Sequence, residues 1–300
     1  MNEDIAKHLG KTADGKISAP YVTPKTYDPS LLVRVPRSEN REKYGISSSD
    51  LPFIGYDSWN CYETSFLLNN GLPINVVTNI VYSSDSLYIV ESKSLKLFLN
   101  SFNMMKLGQY SIVAVERFSK IVEESLSNLL ETAVHVKVYD EKTYNPAVHY
   151  GNQHSDVIDQ IPVNLLEFDS YVESPELLIQ DFDHQFMSFK SNALRSNCKI
   201  TNQPDWGDVY VQMEGNVVTK ASLLKYIVSL REENHFHEEI CEMIYARLWY
   251  KFKPRALTVA CHYTRRGGID INPVRFHEKY ERFEIFDMSK LSMFSKTMRQ

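Results

Sequence analysis

The sequence lacks the features that mark several classes of protein. It has only four cysteines in 300 residues, and no two of them form a C-x-x-C pair, which argues against a disulfide framework and against a cysteine-based zinc site. It has no uncharged apolar run near the roughly 18 residues that a membrane helix needs, and its polar start, MNEDIAKHLG, does not resemble a signal peptide. We therefore expect reduced thiols and a cytoplasmic chain without membrane contact.

The chain also lacks an excess of basic residues. The 33 basic residues are outnumbered by 38 acidic ones, which gives a net charge of -5, whereas a protein that binds the phosphate backbone normally has a basic excess. Direct binding of nucleic acid is therefore not expected. Neither G-x-G-x-x-G nor G-x-x-x-x-G-K-[ST] occurs, so a nucleotide cofactor would not sit in a Rossmann or P-loop cradle.

The distribution of proline and polar residues divides the chain. Five of the twelve prolines fall before residue 53, so residues 1–52 are predicted to form an extended leader with little regular structure. An acidic interval with further breaks at Asn145, Gly151 and Pro162 predicts a connection over residues 141–182. The chain is long enough for two modules, and the remaining segments, 53–140 and 183–300, are the predicted modules.

The hydrophobic pattern of the first predicted module repeats in the second. A two-residue period over Ile74–Tyr82 predicts a strand, which we expect to form a hairpin with Leu87–Val90. KSLKLFLNSF then predicts a short helix, IVAVERFSKIVEESLSNLL predicts a longer one that ends near Thr132, and AVHVKVY predicts a strand. The second half repeats this order with a strand through Val209 and Val211, the helices KASLLKYIVSL and FHEEICEMIYARLWYKF, and the strand ALTVACHY. The pattern predicts a duplicated α+β unit, in which each sheet carries one layer of helices.

A polar loop contains the cysteine of greatest chemical interest. SNCKITNQPDWGD places Cys198 seven residues before Asp205 in a stretch rich in Asn, Gln and Pro. From composition alone, an inert thiol and a reactive thiolate are equally compatible with this loop. The other cysteines lie in apolar patterns, on a strand, in a helix and in an aromatic cluster, and are predicted to pack in the core.

Three further segments carry charged residues near predicted element ends. His237 and Glu238 open a helix off its apolar stripe, where they could face either a pocket or solvent, and the spacing of the histidines does not fit a zinc site. VESKSLKLF places Glu91 before a helix, which is compatible with an ordinary solvated helix entry. YTRRGG follows a strand, and its glycines and arginines suit either a turn or a phosphate contact.

Taken together and in order, ESKSLKLF, SNCKITNQPDWG, HFHEE and YTRRGGIDINP resemble the long, two-module form of the QueF nitrile reductases, NADPH-dependent 7-cyano-7-deazaguanine reductases of the tunnelling fold. The resemblance extends from about YDPSLLVRVPRSENR to INPVRF. It implies an α+β protein with two tandem tunnelling-fold modules, each an antiparallel sheet with a layer of helices.

The resemblance also implies roles for individual residues. Cys198 matches the nucleophile that forms a covalent thioimide with the nitrile, and Asp205 matches the proton donor. Two equivalents of NADPH are consumed for each nitrile, and no metal is implied. The residues that match substrate contacts are Val90, Glu91, Ser92, His237 and Glu238, and those that match cofactor contacts are Ser92, Lys93, Arg266 and Gly267.

The matched positions come from both modules, so we expect one site per chain where the modules meet. The implied product is 7-aminomethyl-7-deazaguanine, which is used in queuosine biosynthesis, and the implied assembly is a homodimer. Two alternatives remain open from the residues alone. One is a thiol hydrolase or amidotransferase that uses Cys198, His237 and Asp205, and the other is a purine- or pterin-binding protein without catalysis.

Overall fold

The computed structural model describes residue 24, residues 26–140, residue 143 and residues 155–162 and 166–277. The start of the predicted leader, much of the predicted connection and residues 278–300 of the predicted second module lie outside these ranges. Within them, the α-helices are α1 (Ser38–Arg41), α2 (Ser92–Asn100), α3 (Ser111–Leu130), α4 (Lys220–Ser229) and α5 (His237–Phe252). Short 3-10 turns cover Pro29–Leu31, Glu42–Tyr44, Ile158–Gln160, Pro175–Leu177 and Leu230–Glu232. None of these helices is long and apolar enough to cross a membrane.

The strands are mostly short, apart from the five that form the centre of the sheet. In the first half they are β1 (Arg34–Pro36), β2 (Ile54–Leu68), β3 (Pro73–Ser83), β4 (Tyr88–Val90), β5 (Lys106–Gly108) and β6 (Val134–Tyr139). The remainder are β7 (Asp156–Val157), β8 (Gln180–Asp181), β9 (Phe186–Ser191), β10 (Arg195–Asn197), β11 (Pro204–Glu214), β12 (Val217–Val218), β13 (Ala256–Tyr263) and β14 (Ile269–Phe276).

One large sheet contains strands from both halves of the chain. Its order is β6-β3-β2-β14-β13-β11-β9-β7, with β5 beside β2 and β10 beside β11. All pairs are antiparallel except β2 with β5 and β7 with β9. The halves are joined by β2 and β14, which pair from Ile269 opposite Cys61 to Phe276 opposite Ile54. The α+β class predicted from the sequence is confirmed.

The helices cover one face of this sheet. Trp59 on β2 lies opposite Ile271 on β14, and Val259 on β13 lies opposite Arg275 on β14, so the helix-facing positions continue from one half into the other. Two hydrophobic clusters lie beneath the helices, one under α2 and α3 and the other under α4 and α5. On α3 the buried positions are Ala114, Phe118, Val122, Leu126 and Leu130, which is the spacing of an amphipathic helix.

The predicted strand–helix–helix–strand order is present in both halves, but the expected hairpin of Leu87–Val90 with the preceding strand is wrong. Both edges of β3 are already occupied, by β2 and β6, so β4 has no edge of β3 to pair with. It pairs instead with β1 from the leader, with Arg34 opposite Val90 and Pro36 opposite Tyr88. The described part of the leader contains only short elements.

Two central strands were not predicted from the sequence. In β2 the register shifts between Cys61 and Thr64, so the core-facing side chains are odd-numbered before the shift, as at Trp59, and even-numbered after it, as at Phe66. Such a bulge interrupts the two-residue period by which a strand is recognised. In β14 a central proline, Pro273, argued against a strand.

Candidate active site

Cys198 lies in a tight connection between β10 and β11. Its backbone N–H donates to the carbonyl of Gln203 at 2.8 Å, and the N–H of Asn202 donates to the carbonyl of Cys198 at 2.9 Å. Asn202 has a φ of 55°, a left-handed conformation that asparagine adopts more readily than most residues. The predicted loop is therefore shorter than expected, because Asp205 belongs to β11.

The surroundings of the Cys198 sulfur favour its thiolate. Burial acts to raise the pKa of Cys198, but hydrogen bonds from the Thr201 side chain and from the backbone of Thr201 and Ile200 outweigh it and leave the pKa below its ordinary value. Cys61, Cys241 and Cys261 are each 1% exposed or less, and burial raises the pKa of Cys61 and of Cys261. Because the thiolate is the nucleophilic form, Cys198 is the cysteine suited to attack a substrate.

Asp205 is buried between two basic side chains. One carboxylate oxygen, Oδ1, accepts from Arg266, and the other, Oδ2, lies 3.4 Å from Nε2 of His237. Burial acts to raise the pKa of Asp205, but His237 and Arg266 outweigh it, so the net pKa is lowered. Arg266 also donates to the side chain of Gln203. Since the carbonyl of Gln203 accepts a hydrogen bond from the Cys198 N–H, the Arg266 guanidinium connects the cysteine loop to Asp205.

The beginning of α5 supplies the other wall of this site. His237 stacks on Tyr263 with ring centroids 3.8 Å apart, and its Nδ1 is buried without a hydrogen bond in the described part of the chain. Lys199 of the cysteine loop forms an ion pair of 2.9 Å with Glu239 on the first turn of α5. The loop and the helix are therefore held together, and His237 of the helix contacts Asp205.

Glu238 is the second predicted contact on α5, and it is only 2% exposed. Its Oε1 makes no hydrogen bond to any residue that the structure describes. Burial and the neighbouring Asp57 carboxylate raise the pKa of Glu238 to about 8, against the opposing effects of Arg37 and Arg275. A buried carboxyl oxygen without a partner is costly unless a ligand supplies a donor, so Glu238 is suited to bind N–H groups.

The predicted contacts of the first half lie where β4 meets α2. The carboxylate of Glu91 caps α2, accepting from the N–H groups of Lys93 at 3.0 Å and Ser94 at 2.7 Å. It makes no contact with Cys198 or Glu238 among the described residues. Val90 is buried beside Tyr82. Burial and Glu238 raise the pKa of Tyr82 well above its ordinary value, although the hydrogen bond with the Val90 backbone opposes this rise. Tyr82 therefore lies between Val90 of the first half and Glu238 of the second.

The predicted cofactor residues lie on two adjoining segments. Ser92 and Lys93 begin α2, and Gly267 lies in the turn between β13 and β14. A Cβ on Gly267 would lie 3.1 Å from Nζ of Lys96 on α2, and the backbone there has a φ of 58°. A glycine turn against a lysine-bearing helix entry gives phosphate groups close access to backbone amides and ammonium groups, so these residues fit NADPH.

Arg266 lies beside this turn, and its guanidinium also contacts Asp205. Lys96 was not among the predicted cofactor residues. Its position one helical turn after Lys93 was the signal that could have found it, since residues three or four apart share a helix face.

Known proteins are similar to this chain over most of its length. A family model described as nitrile reductase, 7-cyano-7-deazaguanine-reductase N-term, matches residues 23–138, and one described as QueF-like protein matches residues 204–282. An NADPH-dependent 7-cyano-7-deazaguanine reductase from Ralstonia nicotianae is 38% identical over 264 residues, covering 87% of this chain and 91% of that protein. A crystal structure of the archaeosine synthase QueF-Like in the apo form matches 31% of this chain and 94% of its own, at 20% identity and a TM-score of 0.29.

The two family models and the relative from Ralstonia nicotianae define a protein of the QueF class. The chain belongs to the 7-cyano-7-deazaguanine reductase family, and the family predicted from the four sequence motifs is confirmed.

Proposed function

We propose that this protein reduces the nitrile of 7-cyano-7-deazaguanine to the primary amine of 7-aminomethyl-7-deazaguanine with two equivalents of NADPH, as a step in queuosine biosynthesis. The observation that carries the proposal is the loop of Cys198, which is connected through Gln203 and Arg266 to Asp205 and whose hydrogen bonds lower the pKa of the Cys198 thiol. A nitrile is a weak electrophile, so its reduction benefits from an activated thiolate beside a source of protons.

The covalent step proceeds by addition of the Cys198 sulfur to the nitrile carbon. A carbon–sulfur bond forms, one π bond of the nitrile breaks, and its electron pair takes a proton at nitrogen to give a thioimide. Asp205 delivers this proton. Because Arg266 and His237 hold Asp205 ionised in the free protein, the carboxylate must first receive a proton. Both side chains contact Asp205, and of the two an imidazole is the group that exchanges protons near neutral pH.

NADPH, when bound, supplies one hydride to each of two successive reductions, which with a second proton give the amine and return Cys198 to its thiolate. The residues that would hold its phosphates are Ser92, Lys93, Arg266 and Gly267. Lys96 would join them, because it adjoins Gly267. Cations and open backbone amides are the groups that bind phosphate well.

The substrate's ring N–H and exocyclic amine face carboxylates. Glu238 accepts them with its unpartnered Oε1, and we assign His237, Val90 and Ser92 to the same substrate site. Glu91 completes the set after exchanging part of its cap on α2 for the substrate. Bidentate acceptance by carboxylates suits a guanine-like edge.

The organisation of the protein is part of the proposal. Residues 53–140 and 183–300 form the two modules, and residues 1–52 and 141–182 the leader and the connection. Two copies assemble as a cytoplasmic homodimer that does not bind nucleic acid. The net charge of -5 supports the last point, and the strand edges at the ends of the sheet support assembly.

The decisive experiment is intact-protein mass spectrometry after incubation with 7-cyano-7-deazaguanine alone. We expect the mass to increase by one substrate in the unaltered protein, no increase in Cys198→Ala, and an unchanged increase in the matched control Cys61→Ala, because Cys61 is buried. With NADPH present, two equivalents should be oxidised for each amine formed. Ammonia release without NADPH would support the thiol hydrolase instead, and tight binding without an adduct would support a non-catalytic protein.

A further inference from the structure

The described part of the leader is attached to the segment that carries Val90 and Glu91. Strand β1 pairs with β4, the N–H of Glu91 donates to the carbonyl of Val33 at 2.9 Å, and the N–H of Val33 donates to Oγ of Ser94 at 3.0 Å. The leader therefore fixes the position of the strand end from which the first-half substrate contacts project.

Directly after β1, the leader sends two arginines into a buried ionic cluster. Arg41 donates to Glu242 of α5 at 2.7 and 2.9 Å, and Arg37 pairs with Asp57 of β2. Arg275 of β14 completes the cluster, lying 2.8 Å from Asp57 and 2.9 Å from Glu242. All five side chains are nearly inaccessible to solvent, so the cluster joins the leader to both halves of the chain inside the protein.

The charges of this cluster do not balance without a further carboxylate. Its three guanidinium groups face two carboxylates, which leaves one positive charge in excess, and a net charge is unfavourable in a dry interior. Glu238 lies four residues before Glu242 on α5, so the two side chains share a helix face. Ionisation of Glu238 would bring the group to neutrality.

The charged and titratable groups around Glu238 come from the leader and from three strands of the large sheet. Arg37 of the leader and Arg275 of β14 favour its ionised form, whereas Asp57 of β2 opposes it. Tyr82 of β3 lies close enough for Glu238 to raise its pKa. Arg37 acts in two ways, since its own charge attracts Glu238 and its ion pair with Asp57 reduces the opposing charge.

We propose that Arg37 is a positioning residue of the active site, which lets Glu238 ionise to receive the substrate's N–H donors, and that residues 33–41 of the leader thereby form part of the substrate site. This inference rests on the proposed role of Glu238. Arg37 does not touch the substrate, because it is enclosed by Asp57, Ser86 and Tyr82.

The test measures the dissociation constant of 7-cyano-7-deazaguanine against pH by tryptophan fluorescence, in full-length Cys198→Ala protein so that no covalent step contributes. Binding should tighten as pH rises through about 8. Adding Arg37→Gln should move this transition upward by about one pH unit or more, the usual effect of losing a nearby opposite charge, which corresponds to roughly tenfold weaker binding at pH 7.

Three further variants separate charge from structure. Arg37→Lys keeps the charge and should return the transition towards its original pH, and Asp57→Asn removes the opposing charge and should move it downward. Lys120→Gln, which removes a positive charge from the surface ion pair with Glu124 on α3, should leave the curve unchanged. If Arg37→Gln does not fold by circular dichroism, the Arg37→Lys and Asp57→Asn curves decide.

An unmoved transition in Arg37→Gln, an equal upward shift in Arg37→Lys, or an upward shift in Asp57→Asn would overturn the inference. Failure of the proposed function has a different signature, because the unaltered protein would then neither form the Cys198 adduct nor oxidise NADPH with the nitrile.

Discussion

The hydrogen bond from Thr201 to Cys198 gives a prediction that needs neither substrate nor cofactor. Thr201→Val replaces a hydroxyl that favours the thiolate with a methyl group of similar volume, while the backbone donors of Thr201 and Ile200 remain. A hydrogen bond to a charged group contributes roughly 1.5–3 kcal/mol. Because the sulfur is only half-buried, we take the lower limit, which corresponds to a rise of about one unit in the pKa of Cys198.

The assay is the rate of alkylation by iodoacetamide, followed by intact mass against pH. The other three cysteines are buried, so a single added group reports on Cys198. At pH values well below the thiol pKa, Thr201→Val should react about tenfold more slowly than the unaltered protein. Thr201→Ser keeps the hydroxyl and should react at nearly the original rate. Coincident profiles for Thr201→Val and the unaltered protein would refute the assigned cause of the lowered pKa.

Two further predictions concern the ionic cluster and the glycine turn. Burial acts to raise the pKa of Glu242, but its arginine partners outweigh burial and lower this pKa from 4.5 to about 2. The ionised Glu242 therefore stabilises the folded protein fully above about pH 4.5, and this stabilisation is lost as the pH falls through 2. Glu242→Gln should reduce the free energy of unfolding in urea at pH 7 by about 3–5 kcal/mol, and should lose less stability on acidification; an unchanged urea midpoint would contradict this. Gly267→Ala adds a Cβ 3.1 Å from Nζ of Lys96 at a left-handed position, and should raise the KM for NADPH several-fold more than the KM for the nitrile. Equal changes in both constants would argue against a cofactor role for the turn.

Local patterns in the sequence were sufficient to predict many of the helices, strands and loops. The spacing of Phe118, Val122 and Leu126 predicted α3, because a repeat of three and four residues puts apolar side chains on one helix face. The polar residues around Cys198 likewise predicted a loop. By contrast, β2 was missed because its bulge reverses the inward-facing parity between Trp59 and Phe66, and no local period survives such a shift.

The amino-acid sequence by itself determined the α+β class, the order of most helices and strands, and the family, since periodicity and four ordered motifs are local properties of a chain. The tertiary structure alone decided that β2 pairs with β14, that Arg266 contacts Asp205, and that Arg37 lies in the cluster beside Glu238. Arg266 and Asp205 lie 61 positions apart, and the paired residues of β2 and β14 lie more than 200 positions apart. The ionisation of buried side chains depends on which charges the fold brings together. Electrostatic energy varies with distance in space and with exclusion of water, and neither quantity can be obtained from separation along the chain.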